Sequence, residues 1–105
     1  MEKRIEQYRK EIDSLDTSII GLLLERMDVV KYIADCKKIT IKESVDIERK
    51  PREKEIVENL AKQIPLEYKK YLSTKEISEI YEIIFRISKN IQSDIYDDYC
   101  REKKD

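Results

Sequence analysis

One apolar row constrains this sequence more than any other feature. Positions 5, 8, 12, 15, 19, 22, 26, 29, 33 and 36 strictly alternate steps of three and four. They carry Ile5, Tyr8, Ile12, Leu15, Ile19, Leu22, Arg26, Val29, Ile33 and Cys36. That spacing is the seam of an α-helix packed against other helices. No proline interrupts it, and Gly21 costs a helix only about 1 kcal/mol relative to Ala. The row therefore predicts one long helix over about Arg4 to Lys38.

The remaining punctuation divides the chain. From Ile39 to Lys50 the run ITIKESVDIERK loses the period and reads as a loop. Pro51 suits the first turn of a second helix, where its missing N–H would have no partner anyway. That helix is expected to end near Ile64, before Pro65. A short turn, LEYKKYL, leads to Ser73-Thr74-Lys75-Glu76, a capping-box signature. A third helix is expected from about Thr74 to Cys100. No repeat or low-complexity linker intervenes, so residues 1–105 read as a single all-α domain of three helices.

Length implies a partner. A helix of some 35 residues is about 50 Å long at roughly 1.5 Å per residue. The shorter second and third helices cannot cover both sides of such a rod. The flank containing Ile20, Leu23, Leu24 and Val30 is left for another chain, and an intertwined homodimer is the expected architecture. An extended helical hairpin is the simpler competitor.

Composition narrows the chemistry. A single Gly excludes phosphate loops and dinucleotide fingerprints, and the absence of His excludes Ser-His-Asp catalysis, HExxH zinc sites and imidazole acid–base chemistry. An enzyme built from this chain works with Arg, Lys, Glu, Asp, Ser and Gln. Lys and Arg number 22 against 23 Asp and Glu, so no basic excess marks a nucleic-acid surface. Cys36 and Cys100 fit neither a disulfide framework nor a metal motif and read as reduced thiols. The N-terminal MEKRIEQYRKEID is too polar for a signal peptide, and no apolar run approaches the roughly 20 residues of a membrane span. A cytoplasmic protein with no metal, no cofactor, no nucleic-acid partner and no membrane contact is the expectation.

Against this background, polar residues on apolar rows carry the information. Arg26 interrupts the first seam, and a guanidinium there is expensive unless an anion or a hydrogen-bond network meets it. Lys37 lies eleven residues further, close to three full turns, and projects from nearly the same face. Glu53 heads the row Glu53, Val57, Leu60, Ile64. Ser88 interrupts Ile77, Ile80, Ile84, Ile91 and Ile95, and Gln92 follows it by one turn. Taken singly, each has a plainer explanation. Arg26 can snorkel or pair with a nearby Glu, Lys37 can cap a helix dipole, and Glu53 can complement a helix N-terminus. Ser88 can be a tolerated small residue, Gln92 can lie on a polar flank, and Arg9, some 100° off the Arg26 face, can be surface. Together they describe the lining of a pocket for a small anionic ligand.

The same residues match a known pattern. Tyr8-Arg9-x-x-Ile12-Asp13-x-Leu15-Asp16, then Leu22-Leu23-Leu24-Glu25-Arg26-Met27, then Ile33-Ala34-x-x-Lys37 resembles the all-helical chorismate mutases. So do Val45-Asp46, Arg52-Glu53-x-Glu55 and Ile84-Phe85 followed by Ser88-x-x-x-Gln92. The resemblance covers roughly residues 4 to 95 and rests on the motifs' order and spacing rather than on any one of them.

It implies an intertwined homodimer of three-helix chains that converts chorismate to prephenate without a cofactor. By the same resemblance, Arg26 binds one substrate carboxylate, and Arg9 reaches in from the other subunit. Lys37 and Gln92 donate to the ether oxygen, Glu53 accepts from the ring hydroxyl, and Ser88 contacts a carboxylate. Arg52 and Asp46 shape the hydroxyl end of the site. Five residues, IERKP, separate Asp46 from Arg52, more than is common in the family, and the segment before the third helix is also long. The tail after Gln92 carries no readable chemistry.

Two other functions compete. Isochorismate-pyruvate lyases share the Arg, Lys and Gln pattern but tend to lack the Glu of the Arg-Glu pair and the Ser before Gln. Glu53 and Ser88 therefore favour the mutase. A non-catalytic helical dimerisation or regulatory module instead predicts that the polar seam residues pair among themselves.

Overall fold

The computed structural model describes residues 2–40 and 50–103, with the side chains of residues 37–40, 50 and 103 outside the description. Three helices make up the chain: α1 over Glu2–Thr40, α2 over Lys50–Lys62 and α3 over Thr74–Lys103. A single 3-10 turn, Leu66–Tyr68, lies between α2 and α3 and stands where the LEYKKYL turn was expected. No strand occurs among the described residues. The end of α2 and the start of α3 fall within two residues of their sequence expectations, because the punctuation is explicit. Pro51 sits in the first turn of α2, and Ser73 closes the front of α3. The Ser73 backbone N–H donates to Glu76 Oε1 over 2.9 Å, and its hydroxyl donates to the same oxygen, so this end of α3 is satisfied locally.

The α2–α3 pair forms the core. Val57, Ile77 and Phe85 are buried together, with Ile56, Leu60, Ile64, Leu72 and Tyr81 packed around them. The short turn and the Glu53–Lys89 ion pair at the far end make the two helices antiparallel. Tyr81 and Phe85, one turn apart, meet at 5.5 Å between ring centroids in a tilted geometry.

Helix α1 packs on α3 and has no close backbone approach to α2 among the described residues. The covering stripe differs from the seam read off the sequence. Val30 and Ala34 are buried and Leu23 and Met27 half-buried, whereas Leu22, Val29 and Ile33 of the counted seam are exposed. The reason is geometric: a strict alternation of three and four drifts by about 20° per heptad on a straight helix with 3.6 residues per turn. Four heptads along, the counted row has rotated away, and the neighbouring stripe Leu23, Met27, Val30, Ala34 takes its place. Two residues assigned to the uncovered flank, Leu23 and Val30, are thus the ones α3 covers.

The molecule is strongly elongated, 66 × 28 × 16 Å, with a radius of gyration of 18.5 Å. A compact chain of this length would have about 13 Å. Every residue from Glu2 to Leu22 is exposed, among them Ile5, Tyr8, Ile12, Leu15 and Ile19. No helix among the described residues is long and apolar enough to cross a membrane.

Candidate active site

Where the second half of α1, the start of α2 and the middle of α3 converge, they enclose a cavity of about 260 Å³ open to solvent. Arg26, Val30 and Ile33 come from α1, Arg52, Glu53 and Ile56 from α2, and Phe85, Ser88, Lys89 and Gln92 from α3. The polar residues singled out on three separate rows, Arg26, Glu53, Ser88 and Gln92, thus share one wall. Arg52 joins them at the rim.

Arg26 is held in place from α3. Its Nη1 donates to Ser88 Oγ over 2.5 Å, and its guanidinium lies 6.0 Å from the centroid of the Phe85 ring. Ser88 is buried and spends its only proton on the Ile84 carbonyl one turn back, at 3.1 Å, so its oxygen is oriented to accept from the arginine. The serine in the α3 stripe therefore aims the cation. Four of the five donors of a guanidinium are left over after one such bond, enough for a bidentate grip on a carboxylate.

The other polar groups differ in how they are engaged. Arg52 Nη1 meets Glu55 Oε1 at 2.5 Å, with both side chains more than half exposed, a contact of little energetic weight. Glu53 Oε2 meets Lys89 Nζ at 3.1 Å, and these side chains are only 18% and 22% exposed. Gln92 lines the same wall, and its Oε1 is buried with no hydrogen-bond partner. Leaving a buried amide end unpaired costs about 1–3 kcal/mol, so whichever end of the amide faces the cavity is a strong site for a ligand's complementary group.

Of the remaining sequence expectations, one lies away from the cavity and two fall outside the description. Arg9 is exposed on the uncovered part of α1, seventeen residues before Arg26 and so about 25 Å away along the helix axis, and it does not line this cavity. The Lys37 side chain lies outside the described ones, although its backbone continues α1 beyond Ile33. Asp46 lies outside the described residues altogether. One charged wall residue escaped the sequence reading, Lys89. It follows Ser88 directly and sits off the apolar stripe, so spacing gave no reason to select it; the ion pair with Glu53 reveals it.

Among the described residues no cluster of three metal-ligating side chains occurs. The cavity is lined by a positioned guanidinium, a partly buried carboxylate–ammonium pair and an amide whose Oε1 has no hydrogen-bond partner, groups suited to a small anionic ligand. Among the described residues that line it, no Cys occurs and the one hydroxyl, Ser88, is engaged with Ile84 and Arg26. No curated protein and no solved structure matches the chain. A family model does match, that of chorismate mutase type II, and it spans residues 8–93, from the turn that holds Arg9 to just past Gln92. The order of helices, the seam arginine and the extent of that match agree, and the chain belongs to the chorismate mutase type II family.

Proposed function

We propose that this protein is a working chorismate mutase, an isomerase that converts chorismate to prephenate by intramolecular Claisen rearrangement in aromatic amino-acid biosynthesis in the cytoplasm. The observation that carries the reading is that Arg26, Glu53, Ser88 and Gln92, from three helices, line one small cavity in which the buried Gln92 Oε1 has no hydrogen-bond partner. The reaction breaks the ether C–O bond and forms a C–C bond to the ring within one molecule. It needs no nucleophile and no proton transfer. What it needs is a flexible dianion held in its compact diaxial shape and donors aimed at the ether oxygen, where negative charge grows in the transition state.

Arg26 supplies a fixed cation for one carboxylate. Lys37 and Gln92 donate to the ether oxygen, and because that charge is larger in the transition state than in the substrate, their bonds favour the former selectively. Glu53 accepts from the ring hydroxyl, with Arg52 and Asp46 at that end of the site, and Ser88 acts at the carboxylate end through Arg26.

The second carboxylate calls for Arg9 from a partner chain. The chain's accessible surface is 8991 Å², against about 6,200 Å² for a compact monomer of its mass. An excess of that order is what an obligate homodimer hides. The apolar row from Ile5 to Ile19, with Arg9 beside it, is the surface an intertwined copy would cover. The cavity is also slightly below the roughly 300–1,000 Å³ of complete small-molecule sites, as expected of a wall awaiting its second half.

The test is direct. Purified protein is incubated with chorismate, loss of absorbance is followed, and the product is identified. Prephenate is the expected product. Salicylate and pyruvate from isochorismate, without prephenate from chorismate, would establish the lyase instead. A folded, helical protein that turns over neither would establish a non-catalytic module.

A further inference from the structure

We propose that Lys89 is a positioning residue for Glu53: it cancels the charge of that carboxylate and fixes it at the cavity wall, so that a dianion can enter beside it. This rests on the reading of the cavity as a chorismate site.

The geometry points this way from three sides. Lys89 Nζ lies 3.1 Å from Glu53 Oε2, and both side chains are about four-fifths covered. The pair spans the wall from α3 to α2, directly beside Ser88 and one turn from Gln92. A carboxylate facing a pocket for a dianion would repel both of the ligand's charges, and in a partly buried site that repulsion is poorly screened. An ammonium on the same carboxylate removes most of the repulsion. It leaves an acceptor, because a carboxylate has more lone pairs than one ammonium uses. The other described cations of the wall do not do this: Arg26 is held by Ser88 and Arg52 by Glu55.

A pair that merely tied α2 to α3 would predict something different, and the two are separable. Four proteins are compared in steady-state turnover of chorismate: wild type, Lys89→Met, Glu53→Gln and the double variant. Lys89→Met is expected to raise KM by about tenfold or more with kcat little changed, a smaller penalty than truncating one partner of a fully buried charge pair, since this pair is only partly buried. In the Glu53→Gln background the same substitution is expected to leave KM nearly unaltered, since no carboxylate remains to be neutralised. Lys89→Arg, which keeps the charge, is expected to return KM to near the wild-type value.

An equal KM penalty in both backgrounds, an unchanged KM in Lys89→Met, or a Lys89→Arg variant as impaired as Lys89→Met would each overturn the proposal. If Lys89→Met fails to fold, Lys89→Gln carries the same comparison. A wild-type chain without turnover overturns the functional reading alone, and the proposal is then decided by the four proteins' calorimetric affinities for chorismate. A wild type that neither turns over nor binds chorismate overturns both.

Discussion

Along α1, residues 2–22 and residues 23–36 are built from the same kind of sequence, yet only the second stretch is covered within the chain. Both carry apolar residues at helical spacing. The second rests on α3 through Leu23, Met27, Val30 and Ala34 and brings Arg26 to the cavity. The first holds Ile5, Tyr8, Ile12, Leu15 and Ile19 in the open, and Arg9 with them. The difference shows that helical periodicity specifies a sticky face without specifying what sticks to it. Tertiary contact decides, and within the chain every described residue of the first half stays exposed.

The comparison breaks most sharply at Ile12. In the proposed dimer, Ile12→Glu places a charge in the interface, and we expect the protein to become monomeric and turnover to fall to background. Light scattering and the chorismate assay read both; unchanged mass and rate would mean that the first half faces solvent in the working protein. Next in size is Lys37→Ala, at the end of the covered half. Loss of one donor to the developing oxyanion is worth roughly 10²–10³-fold in kcat, and we expect the dimer to survive it. Wild-type turnover by that variant would remove Lys37 from the mechanism.

A third experiment joins the two halves. Arg9→Ala and Arg26→Ala should each be nearly inactive alone. In a two-fold dimer with sites shared between chains, mixing them after reversible unfolding should restore about a quarter of wild-type activity, because half of the dimers then carry one intact site of two. No recovery would place both arginines in the same chain's site.

The smallest effect expected lies away from both halves, at the front of α3. There the Ser73 hydroxyl, and then its backbone N–H, hold the Glu76 carboxyl below its usual value. A group with a lowered native value stabilises the fold above its unfolded value, and that stabilisation is lost as pH falls through the lowered one. Ser73→Ala should therefore flatten the acid limb of the stability profile in urea titrations and leave turnover at neutral pH intact. An unchanged acid limb would show that the cap contributes nothing to it.

Much of this was legible in the sequence because it was written as exceptions. Pro51, Pro65 and the Ser73–Glu76 box are local signals with local causes, so the helix ends followed from them. Arg26, Glu53, Ser88 and Gln92 stood out as polar residues on apolar rows, and the fold brings them to one cavity. The facing of α1 was not legible, because a row counted in threes and fours turns slowly about a straight helix and the count cannot see the rotation. Lys89 was not legible either. In a chain with 43% charged residues, a lysine beside a stripe looks like any solvated lysine until its partner on another helix is known.

The separation of α1 from α2 has a thermodynamic consequence. Among the described residues both lean on α3 and not closely on each other, yet residues of both line the cavity. A chorismate molecule gripped by Arg26 of α1 and Glu53 of α2 together would supply the missing cross-brace. It would then act as a removable piece of the core, and its binding would appear as heat resistance. At a hundred times its dissociation constant, such a ligand adds about 2.7 kcal/mol to the folded state. A melting curve with and without the dianion would show substrate recognition even where the chemistry has been silenced.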